Sequence, residues 1–195
     1  MKKLTAISIL FFLIYNGILA QSQNNMTWEM AVRKHIGFSG DTEDFSPSMP
    51  IRMENDDEFY IYLKSDSPGY AYVVKEYPDR TSSIVFSGPL TAGKPEQILD
   101  NHFDFTIPPS GSGIIRFYVV VSSTQRPILE QNLGVRLSGA QQAAVTEEIQ
   151  RIRRSLTGIP PERPVSVASG TRGTAGIAGQ YEGFDTYVRN VVISY

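Results

Sequence analysis

The segments EFYIYLK at residues 58–64 and YAYVVKEY at residues 70–77 decide the fold class of this chain. Both are rich in aromatic and β-branched side chains, which favour the pleated surface of a sheet. Residues 67–69 (SPG) lie between them and are typical of a turn. The two segments therefore predict neighbouring strands in a mainly β structure.

Short strands and turns continue on both sides of this pair. The residues before it alternate, with Trp28, Met30 and Val32 on one side, which predicts a strand. Trp28, Val32 and Ile36 would also line one face of a helix, so a helix is the alternative there. Short strands at this spacing are typical of an antiparallel β-sandwich, immunoglobulin-like or similar, which is the predicted fold. The further predicted strands cover residues 28–38, 81–86, 103–107, 114–121 and 187–195, and turns are predicted at residues 78–80, 87–89 and 110–113.

One segment of the chain follows a helical period. Ser138 and the Gln141 three residues later match a capping box, so we predict an amphipathic helix over residues 139–157 that docks on the sheet. Burial of its apolar face contributes on the order of 6 to 12 kcal/mol before entropy. A pair between Glu147 and Arg151 adds only about 0.3 to 0.5 kcal/mol. The apolar residues that share this helix face are Val145, Ile149, Ile152 and Leu156.

Two stretches are predicted to be loops. Residues 41–50 (DTEDFSPSMP) are acidic and contain proline, which is typical of a solvated loop. Residues 169–180 carry glycine at every third position from Gly170 to Gly179, and this repeat is far too short for a collagen-like assembly. It predicts a flexible connector.

The first twenty residues have the pattern of a secretory signal peptide. Lys2 and Lys3 precede an apolar run at residues 4–15, and Ala20 precedes polar residues. The run is shorter than the roughly 20 apolar residues that a spanning helix needs, so an uncleaved anchor is the weaker alternative. We therefore predict a signal peptide at residues 1–20 and export to the periplasm or the extracellular space of a bacterium. No stable membrane span is expected after cleavage.

The predicted mature chain has two parts. Residues 21–53 hold an N-terminal strand and the acidic, proline-containing loop, and residues 54–195 form the β-sandwich domain with the helix and the C-terminal strand. The chain has no cysteine, which excludes disulfides, thiolate metal sites and cysteine nucleophiles. Its formal net charge is −2, from 18 basic and 20 acidic residues, and no dense basic run occurs. This balance argues against a nucleic-acid partner.

Few residues are available for catalysis or metal binding. His102 shares a predicted strand face with Asp104, and a nearby serine would complete a hydrolytic triad, but no Gly-x-Ser-x-Gly motif accompanies them. The only other histidine is His35. The acidic residues 41–44 and 54–58 suggest calcium, although they lack the EF-hand spacing and are better interpreted as solvated loops. We predict a protein without enzyme activity and without a cofactor.

Several motifs along the strands form a series: residues 61–65 (IYLKS), 69–74 (GYAYVV), 107–111 (IPPSG) and 117–122 (FYVVVS), with a turn at Asp79. Over residues 54–127 this series resembles an uncharacterised bacterial domain-of-unknown-function family of β-sandwich modules. Members of that family are often appended to serine/threonine kinase or caspase-like peptidase chains. The usual Asp-Gly turn of the family stands here as Asp79-Arg80. The resemblance implies a β-sandwich, no catalytic residues to carry over and a role in binding.

Four tyrosines on the first strand pair form a predicted interaction surface. They place rings on both faces of their strands, and tyrosine combines an apolar body with a polar tip, which suits recognition. The alternative is that the docked helix covers one of these faces. We predict a secreted noncatalytic cell-envelope module that mediates protein–protein interaction, such as an accessory subunit of an envelope complex, with another envelope protein as its partner. A small outer-membrane β-barrel protein and an envelope hydrolase that uses His102 and Asp104 are the alternatives. The four surface residues are Tyr60, Tyr62, Tyr70 and Tyr72.

Overall fold

Two β-sheets and one α-helix make up the part of the protein that the structure describes. The computed structural model describes residues 26–39, 41–45, 49–54, 57–98, 113–156 and 185–195, and the backbone of residues 163–168 and 175–182. The predicted signal peptide, the predicted strand at 103–107, His102 and Asp104 lie outside these residues. In chain order the elements are β1 (Thr27–Ile36), β2 (Asp41–Phe45), β3 (Ile51–Arg52), β4 (Glu58–Ser65), β5 (Gly69–Glu76), β6 (Ser82–Leu90), β7 (Glu96–Gln97), β8 (Ile114–Ser122), α1 (Gly139–Ser155), β9 (Arg163–Ala168), β10 (Ala175–Glu182) and β11 (Thr186–Ser194).

The first sheet is antiparallel and has β1 at its centre. Its strand order is β7-β4-β1-β10-β9, and β2 pairs with β1 beside β10. On one side β1 pairs with β4 along nearly its whole length, from Trp28 opposite Ser65 to His35 opposite Glu58. The N-terminal strand predicted within residues 21–53 is therefore confirmed as a strand, and strands from the 54–195 part of the chain flank it.

The second sheet has the order β3-β11-β8-β5-β6. All its pairs are antiparallel except the short parallel pair of β3 with β11. The predicted C-terminal strand is confirmed, because β11 lies between β3 and β8 and pairs with β8 along its full length. Both sheets together confirm the predicted β-sandwich-like fold with a single helix.

The main core lies between the two sheets. Alternation along each strand sends every second side chain inward, as Phe59, Ile61 and Leu63 of β4 show. Aromatic rings bridge the sheets, with Trp28 of β1 at 5.3 Å from Tyr187 of β11, and Phe59 at 5.5 Å from Phe117 between their ring centroids. Because no cysteine exists, burial of this core supplies the main stabilisation of the sandwich.

The helix α1 covers the outer face of the second sheet. Val145, Ile149 and Ile152 are buried there against side chains such as Tyr72 and Val120, and they form a second apolar cluster. The predicted capping box is present, because Gln141 accepts hydrogen bonds from the backbone and side chain of Ser138. The predicted amphipathic helix is thus confirmed, with its end at Ser155. No described helix is long and apolar enough to cross a membrane.

The prediction that residues 41–50 form a loop is wrong for the first half of that stretch. Residues Asp41–Phe45 form β2, which pairs with the second half of β1. The register sets Asp44 opposite Arg33 and Glu43 opposite Lys34, so acidic residues face basic ones across the pair. Cross-strand pairs of opposite charge stabilise a strand that acidic composition alone disfavours.

The prediction of a flexible connector at residues 169–180 is wrong for its second half. Ala175–Glu182 forms β10, whose backbone pairs with β1 on one side and β9 on the other. Two neighbouring strands satisfy the backbone of this glycine-containing segment, and pairing therefore overrides its low intrinsic strand preference.

The predicted turn at residues 87–89 is also wrong. The strand β6 continues through Gly88 and Pro89 to Leu90. Proline lacks a backbone N–H, and a strand at the sheet edge accommodates it because no ladder bond is lost on the open side. The two-residue strands β3 and β7 were not predicted, since such short segments carry no periodicity.

Candidate functional site

The four tyrosines of the predicted interaction surface do not lie on one surface. Phe59, Ile61 and Leu63 face the main core, so the alternating Tyr60 and Tyr62 lie on the outer face of the first sheet. Tyr70 and Tyr72 lie on the outer face of the second sheet, where the helix packs. The helix therefore covers that second face, which was the alternative to a tyrosine surface, and the two pairs lie on opposite sides of the sandwich.

Tyr60 and Tyr62 belong to an aromatic and ionic cluster on the first sheet. The Tyr60 ring is buried at 4.6 Å from the His35 ring, and its hydroxyl donates to Glu58. Arg33 lies over the Tyr62 ring at 5.8 Å and forms an ion pair with Asp44 at 2.7 Å. The hydrogen bond to Asp44 raises the pKa of Arg33, and burial raises the pKa of Tyr62. His35 is thus part of a packed aromatic contact.

Tyr72 is fully buried beneath the segment that follows β8. Its hydroxyl accepts a hydrogen bond from the backbone amide of Arg126 at 2.8 Å and donates to Glu130 at 3.1 Å. Burial, together with the neighbouring Glu130, raises the pKa of Tyr72 to about 12. Its position makes Tyr72 a packing residue and removes it from the predicted surface.

A buried carboxylate on α1 joins the helix to the second sheet. Glu148 is buried and accepts hydrogen bonds from Arg126 at 3.5 Å and from Arg151 at 2.9 Å. Arg126 also donates to Ser122 at the end of β8 and to Thr186 at the start of β11. The predicted pair between Glu147 and Arg151 is therefore not formed. Arg151 instead binds the carboxylate of Glu148.

We expect Tyr72→Phe to lower the free energy of unfolding at pH 7 by about 1 to 2 kcal/mol, because the Arg126 amide loses its acceptor. Because the pKa of Tyr72 is higher in the folded protein than in the unfolded chain, its neutral hydroxyl stabilises the fold below pH 10. This contribution is lost as the pH rises toward 12. Urea unfolding measured between pH 7 and pH 11 should show a smaller alkaline loss in the variant. Tyr70→Phe, on the same face, is the matched control. An equal alkaline loss in the wild-type protein and in Tyr72→Phe would contradict this assignment.

An open apolar groove lies between α1 and the segment that follows β8. Its volume is about 240 Å³. Beside it, three large apolar side chains are exposed to solvent: Ile128 at 41%, Leu133 at 55% and Val135 at 59% of their surface. We call this groove with its three exposed side chains the apolar groove. The side chains that line its floor and walls include Ile84, Leu137, Ala140, Ala144 and Val145.

The backbone around the apolar groove is held by β6. The amide of Gly134 donates to the Ile84 carbonyl at 2.7 Å, and the amide of Leu137 donates to the Ser82 carbonyl at 2.9 Å. Asn132 and Gly134 adopt positive φ, so the chain turns sharply there. These bonds cover part of the β6 edge and fix the segment while Leu133 and Val135 point to solvent. The exposure of these two side chains is therefore a property of an ordered segment.

Polar side chains line part of the apolar groove. Gln131, Asn132 and Gln141 supply three carboxamides, and none of the described residues that line the groove is acidic or basic. A carboxamide both donates and accepts hydrogen bonds, as a peptide backbone does. The arrangement suits an apolar segment whose backbone bonds to the rim. Sequence reasoning missed this site, although the apolar residues between turn-forming residues in 127–137 (PILEQNLGVRL) were its signal.

The acidic stretches considered for calcium are partly occupied by basic side chains. Asp44 binds Arg33, and the buried Asp57 binds Lys34 at 2.6 Å. Within the described part of the chain, no three acidic or histidine side chains come together as metal ligands. Comparisons with protein-family models, with curated proteins and with solved structures found no match to this chain. The resemblance to a β-sandwich family therefore stays a prediction.

Proposed function

We propose that this protein is a noncatalytic module of the bacterial cell envelope that binds another protein through the apolar groove. The observation that carries the proposal is a groove with an apolar floor that the exposed Ile128 lines, next to the exposed Leu133 and Val135 on the same segment of the chain. Clustered exposed apolar residues with a polar rim are typical of protein interaction sites. The predicted signal peptide at residues 1–20 supports an exported location.

The groove favours a partner with an apolar, uncharged segment. Full burial of a Leu, Ile or Val side chain contributes roughly 1.5 to 3 kcal/mol, so burial of these three side chains against a partner would favour binding. The segment that presents Leu133 and Val135 is already fixed to β6, and this lowers the entropic cost of binding. The rim carboxamides of Gln131 and Gln141 would bond the partner backbone and set its register.

We expect Leu133→Asp to abolish partner binding, with at least a tenfold loss, while the fold is unchanged. The side chain is mostly exposed, and the bond from Gly134 to Ile84 uses only backbone atoms. The measurement is capture of partner proteins from envelope extracts by the immobilised protein, with quantitation of each captured protein. Met49→Asp is the matched control, because Met49 is equally apolar and 64% exposed but lies outside the groove.

Each result of this experiment bears on the proposal. A protein captured by the wild type and by Met49→Asp, and lost with Leu133→Asp, supports binding at the apolar groove. Equal capture by all three proteins would place the binding site elsewhere. The absence of any reproducible partner would argue against a protein-binding function.

A further inference from the structure

A second groove lies on the helix-bearing face of the second sheet, at the end where the β5–β6 turn projects. Its volume is about 500 Å³. In the register of β8, Arg116 and Ile114 alternate with the core residues Ile115 and Phe117, which sets them on the outer face with Tyr118. Its principal lining residues are Pro78, Arg80, Ile114, Arg116, Ser194 and Tyr195, and we call it the arginine groove.

One carboxylate positions both arginines of this groove. Glu76 is directly opposite Arg116 across the β5–β8 pair, and one of its oxygens accepts from Arg116 at 2.9 Å and from Arg80 at 3.2 Å. The other oxygen accepts from Tyr118 at 3.2 Å. Glu76 thus holds both guanidinium groups next to each other. Each guanidinium has five N–H donors, and Glu76 engages one nitrogen of each.

Arg80 occupies a backbone position that favours glycine. Its φ is +66°, in the left-handed region, at the end of the tight turn between β5 and β6. The amide of Arg80 donates to Tyr77 at 2.9 Å, and such hairpin turns normally carry glycine at their left-handed residue. An arginine there is strained because its Cβ crowds the backbone.

The contacts of the Arg80 side chain do not account for this strain. The side chain is 74% exposed, and its partner Glu76 already binds Arg116. An exposed ion pair of this kind contributes little to stability. A strained non-glycine residue that the fold does not need is an indication of function. What the Arg80 side chain adds is a second guanidinium at the wall of the groove.

We propose that the arginine groove binds a small organic monoanion with one carboxylate and an apolar body. Arg80 and Arg116 hold the carboxylate, for which the planar guanidinium has matching geometry. Ile114, Pro78 and Tyr195 contact the apolar body. The volume of the groove lies in the range of small-molecule sites. This site is distinct from the apolar groove and does not depend on the function proposed there.

The probe is N-acetyl-phenylalanine, titrated into the purified protein by calorimetry, with N-acetyl-phenylalaninamide as its uncharged counterpart and inorganic phosphate as a second anion. We expect saturable binding of the carboxylate at one site and at least tenfold weaker binding of the other two. Arg80→Gly should reduce binding at least tenfold while the midpoint of thermal unfolding stays the same or rises, because the turn strain is relieved.

Two further variants complete the test. Arg154→Ala removes the same charge from the exposed face of α1, where Arg154 bonds its own helix backbone, and should bind as the wild type does. Arg116→Gln should weaken binding even if Arg80→Gly is not recovered folded. The proposal is overturned by a lack of saturable binding, by phosphate binding as tightly as the carboxylate, by unchanged affinity in Arg80→Gly, or by a large drop in its unfolding midpoint.

Discussion

Val191→Asp is expected to leave most of the protein unfolded at room temperature. Val191 is fully buried in the main core, and it lies opposite Phe117 in the pair of β11 with β8. A carboxylate at this position loses its hydration without gaining a partner, and its protonated form still leaves polar atoms in an apolar core. We expect a loss of more than about 4 kcal/mol, which is a large share of the stability of a domain of this size.

The measurement is urea unfolding followed by the fluorescence of Trp28. This is the only tryptophan of the chain, it is buried, and its ring lies 5.3 Å from the ring of Tyr187 in the same strand as Val191. Its emission therefore reports on contact between the two sheets. Asn190→Asp is the matched control, since the neighbouring Asn190 is exposed and should change stability by less than about 0.5 kcal/mol.

This pair of variants tests whether the C-terminal strand is essential to the sandwich. If Val191→Asp unfolded at the same urea concentration as Asn190→Asp, β11 would not contribute to the cooperative core. That result would contradict the expectation that β11, which lies between β3 and β8, is needed for a stable sandwich.

Asp57→Ala is expected to destabilise the fold by about 3 to 5 kcal/mol, because it leaves the largely buried ammonium of Lys34 without its counter-ion. Among the described residues, the hydrogen-bond acceptor that Lys34 keeps is the carbonyl of Arg52, at 3.1 Å. The Asp57 carboxylate also accepts from the amide of Glu54 at 2.7 Å and from that of Gly37 at 3.2 Å. The substitution therefore removes the counter-ion of Lys34 and, at the same time, the hydrogen-bond acceptor of the Glu54 and Gly37 amides.

The same site predicts a pH dependence. Burial opposes ionisation of Asp57, but the hydrogen bonds from Lys34 and from the Glu54 and Gly37 amides outweigh it, so its pKa lies below the ordinary value. The stabilisation is then present above pH 4 and is lost as the pH falls through the pKa of the folded state. Urea unfolding measured from pH 6 to pH 3 should show this loss in the wild type only below about pH 4, and Asp57→Ala should show less of it.

Asp79→Ala is the matched control for Asp57→Ala. Asp79 also pairs with a basic side chain, Arg136 at 2.7 Å, but both partners are more than half exposed. Water screens that pair, so its removal should cost much less than removal of Asp57. If Asp57→Ala and Asp79→Ala lowered the free energy of unfolding equally, burial of the pair between Lys34 and Asp57 would not make it more stabilising than an exposed pair.

The hydrophobic pattern was sufficient to predict most elements of the fold. Alternation in residues 58–64 and 187–195, and the steps of three and four between Val145, Ile149 and Ile152, depend only on which face is buried. The strand β2 was missed because its acidic residues disfavour a strand locally, whereas Asp44 pairs with Arg33 of β1. A pair between two strands leaves no signal in the side-chain periodicity of either strand.

The candidate sites were harder to predict than the fold. Tyrosine content indicated a surface, but Tyr72 is covered by the helix, and whether a ring is covered depends on packing between distant segments. The apolar groove exists because α1 and the segment at 127–137 lie side by side over Ile84. The strain at Arg80 is visible only in its backbone φ, which the sequence does not show.

The amino-acid sequence by itself determined the mainly β fold, the single amphipathic helix and the absence of thiol chemistry, because side-chain periodicity and composition act locally along the chain. Only the tertiary structure decided which tyrosines are buried, which carboxylates meet cations, and where two grooves form. Those features depend on contacts between residues far apart in the chain, such as Glu76 with Arg116 and Lys34 with Asp57. Strand order and helix docking create these contacts, and neither follows from the period of any one segment.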